Sequence, residues 1–588
     1  MAESAKIPLF AFPDADALSA AWRRVAASAV DAAFAAADRA RKAPAPAPFD
    51  ATAPARAFAD FGAALMANPA ALAAAQTRAV QEWSGLFAGA SARTPVIEPQ
   101  KGDRRFADPA WSEAPFDFLK QAYLLAARQV TDLVAETGGL DAKTRARVDF
   151  FVRQYLNAIS PANFAWTNPE AVKKAYETCG LNFVGGLANL LSDMAAPDQW
   201  VKRRASGEFT LGRDLAATPG AIVFENELMQ LIQYAPATEK VCARPLLYVP
   251  PLVNKYYLLD LTPEASFFRW LVSEGFTVFA ISWVNPGPEL HDKDFGDYVR
   301  QGPVAALSAI ERACGEQPAD IFSFCMGGPI AAAATAYLNA RGESRRIASL
   351  TLIGALMDYS ELSEWSTFTE RAQIEAFNEH IDATGVASGG ELKKLFSVVR
   401  ANDLIWNSVV DHYLLDRKAP PSDLLHWFAD GANMTRAFLK TWSRDVLGAN
   451  KLRAGGVEVD GVRIDLSSIS QPVFNLALKD DHVTAWEAVF GNGRAFGGET
   501  RFVLGGSGHN AGVVNPPAKK KHGYWVSDAE TDDAAAWLDG AEKHEGSWWP
   551  EWRDWLQSGA LKQDLVAARR PGDGLAAIEP APGRYVRG

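Results

Sequence analysis

The chain has 588 residues, of which 48% are hydrophobic and 22% charged, proportions typical of a globular protein. Its formal net charge of -11 argues against general nucleic-acid binding, because neutralising phosphates requires a basic surface. The four cysteines lie far apart and include no C-x-x-C pair, so they predict neither a disulfide framework nor a zinc site and favour a reducing cytosol.

No targeting or membrane segment is expected. The N-terminal stretch lacks a basic start followed by an uninterrupted apolar core, so it does not have the pattern of a signal peptide. No run of about eighteen uncharged apolar residues occurs, so no membrane-spanning helix is predicted. The sequence therefore predicts a cytoplasmic protein.

Residues 1–215 predict helices and little strand. Apolar side chains recur at helical spacing in several segments, and a Pro/Ala linker at 43–55 separates the first two of them. The predicted helices cover residues 14–42, 56–92, 117–136 and 141–160. We expect residues 1–100 to form variable N-terminal helices with the linker, and residues 101–215 to form a helical domain.

The first predicted helix is amphipathic, with apolar positions at Leu18, Trp22, Val25, Val30 and Phe34. An amphipathic helix usually docks its apolar face on its own protein. The alternative is a helix that lies on an apolar surface, such as a lipid or polymer interface. The sequence leaves both interpretations open.

After Pro219, short apolar strands alternate with helical stretches, which predicts an α/β fold with a parallel sheet. We expect residues 216–588 to form one catalytic domain around this sheet. The predicted strands are Ala221–Val223, Pro245–Val249, Phe276–Trp283, Asp320–Phe324, Ser349–Ile353, Val473–Leu478 and Arg501–Leu504.

The fourth predicted strand leads into Cys325-Met326-Gly327-Gly328 and then into an alanine-rich helix. A strand, a sharp turn with a nucleophile at its apex and a helix form the nucleophile elbow of α/β-hydrolases, usually written G-x-S-x-G. The neighbours of the nucleophile must be small because strand and helix pack closely there. Gly327 meets this need, and Ser323 stands where Gly is usual. Cys325 is the candidate nucleophile, and a buried structural cysteine is the alternative.

The alternation of strands and helices stops over about residues 357–467, which read as Trp-rich and mainly helical. In α/β-hydrolases, an insertion before the strand that bears the catalytic acid covers the active site. We therefore assign residues 357–467 as a cap.

The sixth and seventh predicted strands end in further candidates for a catalytic triad. Asp480 and Asp481 follow the sixth strand, and His509 lies on a glycine-rich loop after the seventh. The order nucleophile, acid, histidine is the one that this fold requires, each at the carboxyl end of its own strand. His509 is the candidate base for the thiol of Cys325, and either aspartate could orient it.

An oxyanion formed during acyl transfer needs two backbone N–H donors. Met326, directly after the nucleophile, is one candidate. The loop after Val249 is expected to supply the other, and its first two residues are prolines without an N–H. Leu252 and Val253 are therefore the candidates for the second donor.

Four tryptophans lie close together in the segment Ser547–Trp555. Large aromatic side chains at this density predict a helix that docks on the core. Contact with an apolar partner is the alternative.

Longer motifs surround these single residues. They are SFCMGG at Cys325, KDDHVTAW at Asp481, VLGGSGHNAGVVNPPAKKK at His509, YVPPLVNKYYLLDL, FTVFAISWVNP, NDLIWNSVVDHYLL and AIEPAPGRYV. With these motifs the chain, from about Asp103 onwards, resembles a class I polyhydroxyalkanoate synthase. It departs from the family pattern in two places: Ser323 replaces the first Gly of G-x-C-x-G-G, and Thr484-Ala485-Trp486 stands where Val-Pro-Trp is usual.

The resemblance implies polymerisation of (R)-3-hydroxyacyl-CoA, with release of CoA, into a polyester stored as cytoplasmic granules. It implies Cys325 as the acyl-bearing nucleophile, His509 as the general base and Asp481 as the acid of the triad. It also implies a homodimer at the granule surface that needs no metal or redox cofactor, with granule-associated proteins as possible further partners.

The triad chemistry alone does not choose between a hydroxyl group and water as the acyl acceptor. A thioesterase or polyester depolymerase of the same fold is therefore the alternative function. The cysteine favours transfer, because an acyl group on sulfur remains about as activated as it is in acyl-CoA. A catalytically idle granule-binding protein is a third interpretation, and an intact triad argues against it.

Overall fold

The computed structural model describes residues 13–41, 46–89, 95–100, 103–195, 209–360, 363–418 and 421–588. The expectations for the N-terminal dodecapeptide and for the start of the Pro/Ala linker fall outside these ranges. The chain forms two compact units. The first comprises Met1–Ala45, Asp50–Ser206 and Lys393–Pro421, and the second comprises Pro46–Phe49, Gly207–Leu392 and Ser422–Gly588.

The first unit is helical, as predicted. Its helices are α1 (Ala15–Arg41), α2 (Ala53–Ala67), α3 (Pro69–Gly89), α4 (Phe116–Glu136), α5 (Ala142–Ala158), α6 (Pro169–Glu177) and α7 (Leu181–Ala195). Side chains cap the N-termini of α5 and α6, among others: Asp141 accepts from the amide of Thr144, and Asn168 accepts from the amides at the start of α6. A helical run at 401–414, partly of π type, belongs to the same unit.

Helix α1 packs along α7 and still exposes part of its apolar face. Trp22, Val30 and Phe34 are 52%, 53% and 73% exposed. The helix therefore docks on its own unit, as the first interpretation expects, without burying all of its apolar side chains. Among the described residues, no single helix is long and apolar enough to cross a membrane, although α2 and α3, bent by 96°, reach that length and composition together.

The second unit is built on one sheet of eleven strands. They are β1 (Gly220–Glu225), β2 (Met229–Tyr234), β3 (Leu246–Val249), β4 (Val278–Trp283), β5 (Ala319–Phe324), β6 (Ile347–Ile353), β7 (Val473–Leu478), β8 (Thr500–Gly505), β9 (Tyr524–Val526), β10 (Glu542–His544) and β11 (Glu579–Pro580). Each of the seven predicted strands is present.

The strand order is β10-β9-β8-β7-β6-β5-β3-β4-β2-β1-β11. The six strands from β3 to β8 run parallel, as predicted. Both margins are antiparallel, so the expectation of a parallel sheet was wrong for the edges. The sequence analysis missed β2. It also missed the three short strands β9, β10 and β11, because segments of two or three residues carry no periodic signal.

Helices connect the parallel strands of the second unit. The further helices after residue 207 are α8 (Phe267–Ser273), α9 (Phe295–Val299), α10 (Ala305–Cys314), α11 (Gly327–Ala340), α12 (Arg371–Thr384), α13 (Gly389–Val399, most of which belongs to the first unit), α14 (Asp423–Ala429), α15 (Arg436–Thr441), α16 (Trp486–Phe490), α17 (Ala534–Asp539) and α18 (Trp549–Leu556). Helix α11 lies in the core and is buried over nearly its whole length. The predicted boundaries of the catalytic domain and of the cap stay predictions.

The tryptophans at the C-terminal end dock on the core, as predicted. Trp548, Trp549 and Trp552 are buried, and their indole N–H groups all donate hydrogen bonds. The acceptors of the first two are the carbonyl oxygens of Gly512 and Val513, at 2.9 and 3.0 Å. Since these carbonyls lie just after His509, the tryptophans also fix the loop that carries this histidine.

Replacing Trp552 by alanine is expected to lower the free energy of unfolding by about 3–5 kcal/mol, because it leaves a large cavity. It also removes the 2.8 Å hydrogen bond from the indole to the hydroxyl of Thr351. Denaturant unfolding followed by far-UV circular dichroism measures the change, with Trp22→Ala on the exposed face of α1 as control. Equal effects of the two substitutions would show that the tail contributes little to the core.

Candidate active site

Cys325 lies at the apex of the turn between β5 and α11. Its φ is +51°, in the left-handed region that side-chain-bearing residues rarely adopt. The turn is held by hydrogen bonds from the amide of Cys325 to the carbonyl of Ile353, at 3.0 Å, and from Gly328 to the carbonyl of Cys325, at 2.9 Å. A strained turn of this kind holds a nucleophile clear of its own strand and helix.

Close approaches of the backbone explain the two glycines of the elbow. A Cβ atom on Gly327 would overlap the carbonyl oxygen of Val249, and one on Gly328 would overlap the Cβ of Ala355. On the strand side, the unexpected Ser323 is fully buried and its hydroxyl donates to the carbonyl of Thr351 at 3.1 Å. The serine is therefore accommodated within the sheet.

The structure brings His509 and Asp481 together. Nδ1 of His509 lies 2.6 Å from Oδ2 of Asp481, and the side chains are 8% and 0% exposed. The other carboxylate oxygen accepts from the amides of Val483 and Thr484, at 2.7 and 3.0 Å. Asp480, the second aspartate that the sequence left open, is exposed to solvent. Geometry thus pairs the histidine with Asp481.

Electrostatic interactions link the same two residues to the thiol. Burial by itself lowers the pKa of His509, but the negative charges of Asp481 and Cys325 and the hydrogen bonds to both outweigh it and raise the pKa to about 10. Burial raises the pKa of Asp481, and the charge and hydrogen bonds of His509 and the nearby amides hold it below its usual value. The charged imidazolium beside the Asp481 carboxylate is therefore the favoured state of this pair.

The candidate oxyanion donors are backbone amides without a protein acceptor. Within the described ranges, the N–H groups of Met326, Leu252 and Val253 donate no hydrogen bond. The carbonyls of their loop are occupied: Pro250 accepts from the indole of Trp283 at 3.0 Å, and Val253 from the amide of Ala432 at 3.3 Å. The loop is thus fixed through its oxygens while its amides stay available.

Several neighbours of His509 and Asp481 were not singled out from the sequence. The ring of Phe324 lies 4.7 Å from that of His509, and the hydroxyl of Thr484 bonds to Asp481 at 2.8 Å. Gly354, with φ of +50°, brings the end of β6 to the imidazole, where a Cβ would lie 3.4 Å from Cε1 of His509. Of these positions, only Thr484 could have been noticed in the sequence, because it departs from the family motif.

In the part of the chain that the structure describes, no cluster of three or more His, Cys, Asp or Glu side chains has the arrangement of a metal site.

Similar proteins identify the family. The family profile "Poly-beta-hydroxybutyrate polymerase (PhaC) N-terminus" matches residues 102–271. The chain is 41% identical to "Poly(3-hydroxyalkanoate) polymerase" of Methylorubrum extorquens, over 87% of this chain and 86% of that protein. This chain belongs to the poly(3-hydroxyalkanoate) polymerase family. The predicted family and the predicted acyltransferase class are confirmed.

A second relative supports the same family. "Poly(3-hydroxyalkanoate) polymerase subunit PhaC" of Cupriavidus necator is 39% identical over 88% of this chain and 89% of that protein. Among solved structures, a hydrolase from Pseudomonas aeruginosa covers 51% of this chain and 95% of its own, at 15% identity and a TM-score of 0.29. The predicted α/β-hydrolase fold is confirmed by the strand order and the elbow.

Replacing Asp481 by asparagine is expected to destabilise the fold in a pH-dependent way. Folding raises the pKa of His509, so its charge stabilises the fold below about pH 6.5, and this contribution is lost as pH rises towards about 10. Folding lowers the pKa of Asp481, whose contribution is present above about pH 4 and lost below it. The free energy lost in Asp481→Asn is therefore largest between about pH 4 and 6.5.

Denaturant unfolding of the wild type and of Asp481→Asn at pH 5.5, 7.5 and 9.5 measures this dependence. The exposed neighbour supplies the control: Asp480→Asn is expected to change stability little at any pH. A difference between wild type and Asp481→Asn that is constant with pH would contradict the charged pair.

Proposed function

We propose that this chain polymerises (R)-3-hydroxyacyl-CoA into a polyester with release of CoA, through a thioester on Cys325. The observation that carries the proposal is the hydrogen-bonded pair of His509 and Asp481, which interacts with a cysteine at a nucleophile elbow. The relatives named poly(3-hydroxyalkanoate) polymerase support the substrate class. Cys325, His509 and Asp481 form the proposed catalytic triad.

In acylation, His509 takes the proton of the Cys325 thiol, which leaves a thiolate and an imidazolium. The raised pKa of His509 supports its role as the base. The thiolate attacks the acyl carbon of the CoA thioester, the C–S bond to CoA breaks, and the proton of His509 passes to the departing sulfur. The products are free CoA, an acyl group on Cys325 and a neutral imidazole.

Chain growth uses the imidazole that acylation leaves neutral. A 3-hydroxyl group gives its proton to His509 while its oxygen attacks the thioester on Cys325. An ester C–O bond forms, the C–S bond to Cys325 breaks, and the thiolate–imidazolium pair returns. Loading exchanges one thioester for another and is nearly balanced, whereas transfer to oxygen runs downhill.

Both tetrahedral intermediates carry an oxyanion, for which we propose the amide of Met326 and one amide of the loop after β3. Leu252 and Val253 are the candidates, because their N–H groups lack a protein acceptor and their loop is tied down through its carbonyls. Donors fixed in advance stabilise developing charge without reorganisation.

The proposed cap, residues 357–467, would favour the hydroxyl acceptor by excluding water. Part of it lies against the oxyanion loop. Trp427 donates its indole N–H to the carbonyl of Lys255 at 2.8 Å, Asn254 donates to the carbonyl of Trp427 at 3.2 Å, and Tyr257 donates to Asp430 at 2.8 Å. Movement of the segment around Trp427 would therefore change access to the loop.

We further propose a cytoplasmic homodimer that works at the surface of polyester granules, with granule-associated proteins as possible partners. Sedimentation of the purified protein is expected to give twice the chain mass. Incubation with amorphous polyester particles is expected to carry the protein into the pellet, whereas a monomer that stays in solution would contradict both statements.

The decisive experiment combines purified protein with (R)-3-hydroxybutyryl-CoA and, separately, with a longer (R)-3-hydroxyacyl-CoA. We expect free CoA, followed by thiol assay, together with an insoluble oligoester identified by mass. Cys325→Ala is expected to lose both products. The control Cys314→Ala removes another half-buried thiol, at the end of α10, and is expected to keep both.

The other outcomes separate the alternatives. CoA release with only free hydroxy acid would mean that water is the acceptor and that the protein is a thioesterase. No CoA release from either substrate would overturn the proposed function.

A further inference from the structure

The hydroxyl of Thr484 lies against the carboxylate that orients the catalytic histidine. Its Oγ1 is 2.8 Å from Oδ2 of Asp481, the same oxygen that accepts from Nδ1 of His509 at 2.6 Å. Thr484 is 6% exposed, so water does not compete freely for this contact. In the motif that the chain otherwise resembles, this position is usually valine, which has the same shape and no hydroxyl.

The hydroxyl proton of Thr484 has two possible acceptors. The carbonyl oxygen of Gly354 lies 3.3 Å away, and the carboxylate oxygen of Asp481 is both closer and charged. A hydrogen bond to a charged acceptor is the stronger one, so the proton points to Asp481. The carboxylate then receives four donors: the imidazole, this hydroxyl, and the amides of Val483 and Thr484.

We propose that Thr484 is a positioning residue. Its hydroxyl holds Asp481 in place and weakens the hydrogen bond between this carboxylate and the imidazolium of His509. The inference rests on the proposed function and deepens it. A donor on Oδ2 draws electron density from the oxygen that His509 also uses, so the carboxylate becomes a weaker base. Thr484 touches neither substrate nor the reacting sulfur in this role.

This weakening has a use in the proposed reaction. His509 must give up its proton to CoA in acylation and accept one from a hydroxyl in chain growth. If Asp481 held the imidazolium too tightly, release of the proton would be slow. The ionisable groups that face the histidine are Cys325, from the elbow, and Asp481, from the turn after β7. Asp480, the adjacent residue in that turn, is exposed to solvent.

The test compares Thr484→Val, which keeps the shape and removes the hydroxyl, with Thr484→Ser, which keeps the hydroxyl. Steady-state CoA release from (R)-3-hydroxybutyryl-CoA gives kcat and KM across the accessible pH range. Thr335→Val on α11 is the matched control, since it removes a buried hydroxyl that donates within its own helix, to the carbonyl of Ala331.

In Thr484→Val we expect kcat to fall about tenfold, the size of a lost hydrogen bond to a charged group, with KM nearly unchanged. Both limbs of the pH profile of kcat are expected to move to higher pH, because His509 then holds its proton more tightly. Thr484→Ser is expected to keep the wild-type profile, and Thr335→Val to keep wild-type kcat.

A Thr484→Val enzyme with wild-type kcat and an unmoved pH profile would overturn the inference, and so would a Thr484→Ser enzyme as impaired as Thr484→Val. Either result would leave the proposed function intact, because the wild type would still release CoA and make polymer. A wild type that releases no CoA would instead overturn the function itself.

Discussion

The buried hydrogen bond between His509 and Asp481 is the interaction on which the site depends. The carboxylate has no contact with solvent, so its charge must be balanced by donors within the protein. One donor is the imidazole, and the turn after β7 supplies the rest. In this buried site the hydrogen bond fixes the orientation of the imidazole, and the carboxylate stabilises its protonated form. In the proposed reaction the charged imidazole stabilises a thiolate on Cys325, because a thiolate needs a neighbouring positive charge to persist.

Close approaches of the backbone hold the reacting groups around this pair. Gly327 lets the end of β3 pass over the elbow, and Gly354 lets the end of β6 reach the imidazole. The loop that carries His509 is fixed from behind, since Trp548 and Trp549 donate to carbonyls just after the histidine. Residues far from the chemistry therefore set its geometry.

The sequence predicted the central strands because each is apolar, several residues long and followed by a turn or helix. It missed β2, which pairs antiparallel with β4 and interrupts the expected alternation, and the short strands β9, β10 and β11, which have only two or three residues each. The residue pattern alone also left the choice between Asp480 and Asp481 open, and the family resemblance singled out Asp481. Adjacent residues in a turn point in different directions, and their burial is decided by packing. The tolerance of Ser323 likewise depends on a carbonyl of the neighbouring strand β6.

The sequence by itself determined the candidate reacting groups, their order along the chain and the family resemblance. Motifs such as SFCMGG and GGSGHNAGVVNPP are local, so they can be recognised without knowledge of contacts. Only the tertiary structure decided how closely Asp481 meets His509, that the pKa of this histidine is raised, that Thr484 shares its acceptor, and that Lys393–Pro421 folds with the first unit. The physical reason is that hydrogen-bond distances and burial join residues far apart in sequence. The protonation state of a buried group depends on those distances and on that burial, and no local sequence pattern encodes them.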